Sequence, residues 1–180
     1  MQMKIFCTGA SGYIGGSVAA HLIAAGHQVT GLVRSRDKAD AVRARGIEPV
    51  LGTLDDGKIL AQAAQAADVV VNAASADHKG AVVALLDALA GSDKLFVHTS
   101  GSSIVGMRAK GERSDAIFDE DTPITPSPAR AARVALNDFI LAYRDKGCRP
   151  VIVCPSLIYG TGLGANPDSV QVPLLIKLAK

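Results

Sequence analysis

Near its N-terminus the chain reads Thr8-Gly9-Ala10-Ser11-Gly12-Tyr13-Ile14-Gly15, directly after the apolar run Met3-Lys4-Ile5-Phe6-Cys7. A strand that ends in a glycine turn and opens a helix is the start of a parallel βαβ unit. Gly9 permits the tight turn, Gly12 lets backbone approach a pyrophosphate, and Gly15 lets the helix pack close to the strand. The helix adds free N–H groups and the positive end of its dipole. Spacing alone also fits a glycine-rich turn with no ligand. The context favours a ligand: an amphipathic stretch from Tyr13 to Ala25 follows, closed by Gly26, and then a second strand from His27 to Val33. The predicted ligand class is a dinucleotide, with Gly9, Ser11, Gly12, Tyr13, Ile14 and Gly15 around its phosphates.

The residues after the second strand bear on which dinucleotide. An acidic residue there would bind both ribose hydroxyls of NAD. This chain has Arg34-Ser35-Arg36 instead. A guanidinium forks onto a phosphate, whereas a carboxylate repels it. Arg34 therefore favours NADP(H) over NAD(H). Arg34 and Arg36 as solvated loop charges are the alternative, and Asp37 keeps NAD open. Asp37 otherwise reads as the cap of a helix from Lys38 to Arg45.

The alternation continues along the chain. Glu48 to Leu51, Asp68 to Asn72, Lys94 to Thr99 and Arg149 to Cys154 read as further strands. Helices are expected over Asp56–Gln65, His78–Ala90 and from Pro128 to Lys146. Six strands alternating with helices, with right-handed crossovers, predict an α/β fold: a doubly wound parallel sheet in the order 3-2-1-4-5-6. The composition agrees, with 48% apolar residues but 4% aromatic ones, as in parallel strands buried under closely packed helices. The length of 180 residues suits one domain.

A formal charge of +2 is too small to imply a nucleic-acid or membrane-surface partner. With Lys4-Ile5-Phe6 already a strand, no signal peptide is expected. Cys7, Cys148 and Cys154 have no CxxC spacing and read as buried small hydrophobes in a reducing, cytoplasmic compartment. No His, Cys or Asp cluster has metal-ligand spacing.

Four segments carry a resemblance: Thr8 to Gly15, Asn72-Ala73-Ala74-Ser75, Thr99-Ser100-Gly101-Ser102-Ser103, and Pro155-Ser156-Leu157-Ile158-Tyr159-Gly160. Together they resemble the extended and atypical short-chain dehydrogenase/reductases, and more narrowly the NAD-dependent epimerase/dehydratase group. The resemblance covers essentially all 180 residues. It implies one Rossmann domain over residues 1–180 with cofactor along the carboxyl ends of the strands. Ala73, Ala74 and Ser75 would then line the adenine-ribose side, and Leu54 would lie beside the adenine. Thr53 stands where the family has an Asp. Thr99 belongs to the same ligand-lining set, and Pro155 and Leu157 would approach the nicotinamide. Members continue into a smaller substrate-covering part, and the chain is expected to end before it.

That family's chemistry uses a tyrosine as general acid/base, a lysine four residues later on the same helix face, and a hydroxyl after the fifth strand. Here Ala129 falls at the tyrosine and Arg133 at the lysine. Arg133 can still donate to ribose hydroxyls, and the hydroxyl position falls near Gly101, with Ser100, Ser102 and Ser103 beside it and Ser102 as the candidate. Tyr159 is a further candidate proton donor. Tyr13 is expected to pack at the turn, His98 to sit in the core, Asp77 to cap the following helix, and Tyr143 to pack within its helix. Two readings remain open. One is an NADP(H)-dependent oxidoreductase or epimerase-like enzyme with a small-molecule substrate. The other is a non-catalytic NADP(H)-sensing protein of the NmrA type with a protein partner. Val172 to Lys180 places Leu174, Leu175 and Leu178 on one helical stripe. Self-association through this stretch, or weaker order after Gly160, is expected.

Overall fold

The computed structural model describes residues 1–106 and 112–179. Lys180, the last residue of the expected terminal helix, lies outside them. Six parallel strands, β1 (Lys4–Thr8), β2 (Gln28–Val33), β3 (Glu48–Leu51), β4 (Val69–Asn72), β5 (Leu95–Thr99) and β6 (Arg149–Val153), form one sheet in the order β3-β2-β1-β4-β5-β6. Among the described residues six α-helices intervene or follow: α1 (Tyr13–Ala24), α2 (Arg36–Arg43), α3 (Gly57–Ala66), α4 (Lys79–Leu89), α5 (Ala131–Leu141) and α6 (Gln171–Leu178). This is the doubly wound order predicted from the alternation, with the sequence reversing direction between β1 and β4.

Successive side chains of β1 point to opposite faces, and each face finds its own cover. Phe6 joins Leu60, Leu85, Leu86, Phe96 and Ile140 under α3, α4 and α5. Ile5 and Cys7 join Ala19, Val29, Val42 and Ile47 under α1 and α2. The small residues of this second layer let α1 approach the sheet closely. On the same face, β4, β5 and β6 have less cover. Val69, Val71, Leu95, Val97 and Val153 there line an apolar cleft of about 460 Å³ against Ile14, Val18 and Leu22 of α1.

Several local expectations change. Helix α2 begins at Arg36, because the Ser35 hydroxyl accepts from the Lys38 N–H and takes the cap assigned to Asp37. Helix α5 begins at Ala131 rather than Pro128. Residues 128–130 form a turn in which the Arg130 and Ala131 N–H groups both donate to the Ser127 carbonyl. The helix then tightens into a 3-10 turn over Ala142–Lys146 and stops at Gly147, whose φ is 71°. Cys7 and Cys148 are buried, but Cys154 is exposed, as are Val151 and Val153 of the edge strand β6 that it follows. Helix α6 buries none of its residues, and Leu175, Ile176 and Leu178 are all more than half exposed.

Candidate dinucleotide site

The carboxyl ends of β2, β1, β4, β5 and β6 open onto one cavity of about 1070 Å³. At its centre lies the glycine turn. The Gly12 N–H donates to the Gly9 carbonyl at 2.8 Å, and Gly9 takes a φ of 73°, which glycine adopts without strain. A Cβ on Gly15 would lie 2.4 Å from the Gly9 carbonyl oxygen, so a side chain there would push α1 off the turn. A Cβ on Gly12 would meet only that same oxygen, at 3.2 Å, and would otherwise stand in open space. Helix α1 has no side-chain cap and no acidic residue in its first turn. Its leading N–H groups are thus left for an anion. These features fit a pyrophosphate.

At the β2 end the cavity is lined by Arg34 and Lys38. Among the described residues neither side chain is in an ion pair. Lys38 was missed in the sequence, although its spacing of four from Arg34 at a helix start was a readable signal. Thr53 and Leu54 line the next stretch. The Thr53 N–H and hydroxyl both donate to Asp56 Oδ2, at 2.7 and 2.8 Å, and these bonds hold the Asp56 carboxyl below its usual range.

Ser11, Tyr13, Ile14, Ala73, Ala74, Ser102, Arg133, Pro155 and Leu157 also border this cavity, together with Gly9, Gly12 and Gly15. Three expected site residues do not. Ser75 turns its hydroxyl to accept from the Asp77 N–H at 3.3 Å. Thr99 faces the apolar cleft on the other side of β5. Tyr159 is 69% exposed beyond β6 and outside the cavity lining. Ala129, at the tyrosine position of the resemblance, is exposed in the turn before α5. Tyr13 is the tyrosine that does line the cavity, and its hydroxyl donates to the Gly160 carbonyl at 3.1 Å. The Ser17 hydroxyl accepts from the Leu163 N–H, so the segment after β6 folds back over the start of α1.

A buried polar chain ties the floor together. The Thr8 hydroxyl donates to Asn72 Oδ1 at 2.6 Å, and Asn72 Nδ2 faces His98 Nδ1 at 3.0 Å. An amide N–H₂ only donates, so Nδ1 accepts and the imidazole proton sits on Nε2. Burial pushes the His98 pKa down and keeps the ring neutral. The Ala74 N–H in turn donates to the Thr8 hydroxyl at 3.3 Å. Three adjacent strands and the segment after β4 are thereby fixed relative to one another.

At the β5–β6 end, Arg133 is the dominant charge. Its Nε donates to Asp77 Oδ1 at 2.8 Å, its Nη2 to Asp77 Oδ2 at 2.5 Å, and its Nη1 reaches the Ser103 hydroxyl at 3.4 Å. The paired hydrogen bonds hold the Asp77 carboxyl below its usual range and push the Arg133 pKa up. Asp77 does not cap α4: the His78 Nδ1 accepts the Ala81 N–H at 3.1 Å instead. Ser100 lines the cavity nearby and accepts from Asn137 at 3.1 Å. Among the described residues no group of three His, Cys, Asp or Glu side chains is placed to hold a metal, and no helix is long and apolar enough to cross a membrane.

A doubly wound sheet with an uncapped glycine-turn helix facing a cavity at the carboxyl ends of its strands defines a dinucleotide-binding α/β domain. The model of the NAD dependent epimerase/dehydratase family matches residues 5–180, and the chain belongs to that family. It is similar to the uncharacterized protein YLL056C of Saccharomyces cerevisiae, with 36% identity over 99% of this chain and 60% of the relative. It is also similar to the oxidase ucsJ of an Acremonium species, with 38% identity over 91% of this chain and 53% of the relative. The chain thus spans little more than half the length of these relatives. Solved structures share the fold. They include yeast methylglyoxal/isovaleraldehyde reductase Gre2 complexed with NADPH, at a TM-score of 0.69 and 22% identity over 89% of this chain and 57% of that one. Another is the Bordetella bronchiseptica enzyme WbmH in complex with NAD+, at 0.72 and 18% identity over 99% of this chain and 63% of that one.

Proposed function

We propose that the chain is the cofactor-binding part of an NADP(H)-dependent oxidoreductase that acts on a small carbonyl or alcohol substrate. The observation that carries this reading is the order of positive groups along one cavity, whose lining also includes the Asp55 carboxylate beside Leu54. Arg34 and Lys38 stand at the β2 end, the uncapped start of α1 at the centre, and Arg133 among Ser102 and Ser103 at the far end. Arg34 and Lys38 would take a ribose 2′-phosphate, and the first turn of α1 the pyrophosphate. Arg133 would donate to the nicotinamide ribose. Bound there, the cofactor would supply a hydride at the nicotinamide ring. Ser102 and Ser103 would donate to the oxygen of the substrate, which is the group that gains charge on reduction. Three free cysteines support a reducing, cytoplasmic setting.

A specific observation favours a second reading, a cofactor-sensing protein with a protein partner. Ala129 and Tyr159 both lie outside the cavity, so neither position offers a tyrosine proton donor to it. Calorimetric titration with NADPH and NADH, followed by turnover assays of a longer chain with aldehydes and ketones, separates the two. Absence of NADPH binding overturns both readings. Binding without turnover by the longer, cofactor-loaded protein leaves the sensor.

A further inference from the structure

Resting on that reading, we infer that Asp77 is a positioning residue for the nicotinamide half of the site, acting through Arg133. Asp77 lies between β4 and α4, and Arg133 lies in the first turn of α5, 56 residues away. Their side chains meet as a fork on a carboxylate, which fixes both the place and the plane of the guanidinium. The remaining edge, Nη1, is thereby aimed at the loop after β5. It reaches Ser103, and a Cβ on Gly101 would lie 3.6 Å from it.

The pair has little else to do. The Asp77 side chain is 59% exposed and that of Arg133 18%, and an ion pair with one partner in water adds only modestly to folding stability. The start of α4 is already held by the His78 cap, and the Asp77 backbone by Ser75. What the contact does accomplish is order. Without a carboxylate partner the long arginine side chain would sample more rotamers, and donation to a ribose or substrate oxygen would then cost that freedom at each binding event. The forked bond removes the cost beforehand, while the guanidinium keeps N–H groups unspent for a ligand. A lysine has a single point of charge and cannot make this fork. The Asp77 partner therefore accounts for an arginine standing where the resemblance has a lysine.

The topology supplies a sharp test. Arg34 and Lys38 lie after β2 and Arg133 lies beside β5, on opposite sides of the glycine turn. A ligand with only the adenosine 2′-phosphate half cannot engage both ends. Titration of wild type and Asp77→Asn with NADPH and with adenosine 2′,5′-bisphosphate should give a selective loss. NADPH is expected to weaken by about three- to tenfold, because Arg133 keeps its charge but loses its orientation, while the bisphosphate is unchanged. In an Arg133→Lys background the same Asp77 substitution should have no further effect, since no fork remains. Equal weakening of both ligands, or NADPH binding unchanged by Asp77→Asn, would overturn the inference. Failure of the wild type to bind either ligand would instead overturn the cofactor reading beneath it.

Discussion

Gly15→Ala tests the central geometry of the site. The new Cβ would lie 2.4 Å from the Gly9 carbonyl oxygen and 2.7 Å from its carbon. That is about 1 Å short of ordinary van der Waals contact, and both atoms are backbone with no rotamer to yield. Helix α1 must therefore move away from the turn, loosening its contacts with Cys7 and Ala10 in the layer beneath. Overpacking of this kind costs about 1–3 kcal/mol. For a chain of this length that corresponds to a melting point lower by roughly 2–12 °C. Gly12→Ala is the matched control. Its Cβ meets only one atom, at 3.2 Å, and the backbone φ of −89° suits alanine. The fold should lose less than about 1 kcal/mol, the difference between glycine and alanine as a helix cap. The methyl group would nonetheless stand at the anion's approach, so NADPH affinity should fall at least about tenfold, or ~1.4 kcal/mol. Thermal melts by circular dichroism and calorimetric titration read the two effects separately. A Gly15→Ala protein that melts with wild type and binds NADPH equally well would refute the steric reasoning.

Arg34→Ala should weaken NADP by about 1–3 kcal/mol in calorimetry and leave NAD nearly unchanged; equal losses would mean that the side chain supports the fold instead. Tyr143 is almost fully buried, and its hydroxyl donates to Asp87 at 2.5 Å; burial first, and then that carboxylate, pushes its pKa up to about 12. The raised value means that the folded state holds this proton more tightly, so its stabilisation is full below pH 10 and is lost as pH rises from about 10 to 12. Tyr143→Phe should cost about 1–2 kcal/mol at neutral pH, and its stability difference from wild type should shrink across that alkaline window in denaturant titrations. For the apolar stripe of α6, sedimentation should show concentration-dependent association of the 180-residue chain. Association should disappear with Leu175→Lys and Leu178→Lys together, and a wild-type chain monomeric at all concentrations would remove the proposal.

The strand order was legible because every strand is a short apolar run between helical stretches, and parallel connection leaves few topologies. The glycine turn was legible because its three constraints lie within seven residues. Helix starts were less so. Ser35 and Asp37 are both capping types, and only the observed bond from the Lys38 N–H to Ser35 decides between them. Pro128 suits a helix start, yet the chain spends a turn on Ser127 first. The Asp77–Arg133 fork joins residues 56 positions apart, and no local pattern announces such a contact. The direction of Thr99 depends on which face of β5 meets the cavity, a one-residue question that periodicity within a buried strand does not answer.

The bare first turn of α1 has a consequence for how stable the chain is in different surroundings. A helix end left without a protein cap has only water to accept from its N–H groups until an anion arrives, and any ligand that binds only the folded state raises its stability by mass action. At a free concentration one hundred times the dissociation constant the gain is about 2.7 kcal/mol, towards the upper end of the roughly 1–3 kcal/mol expected for Gly15→Ala. On the cofactor reading, the melting point of this chain would track the dinucleotide concentration around it. Destabilising substitutions far from the site would then be masked when ligand is abundant and exposed when it is scarce.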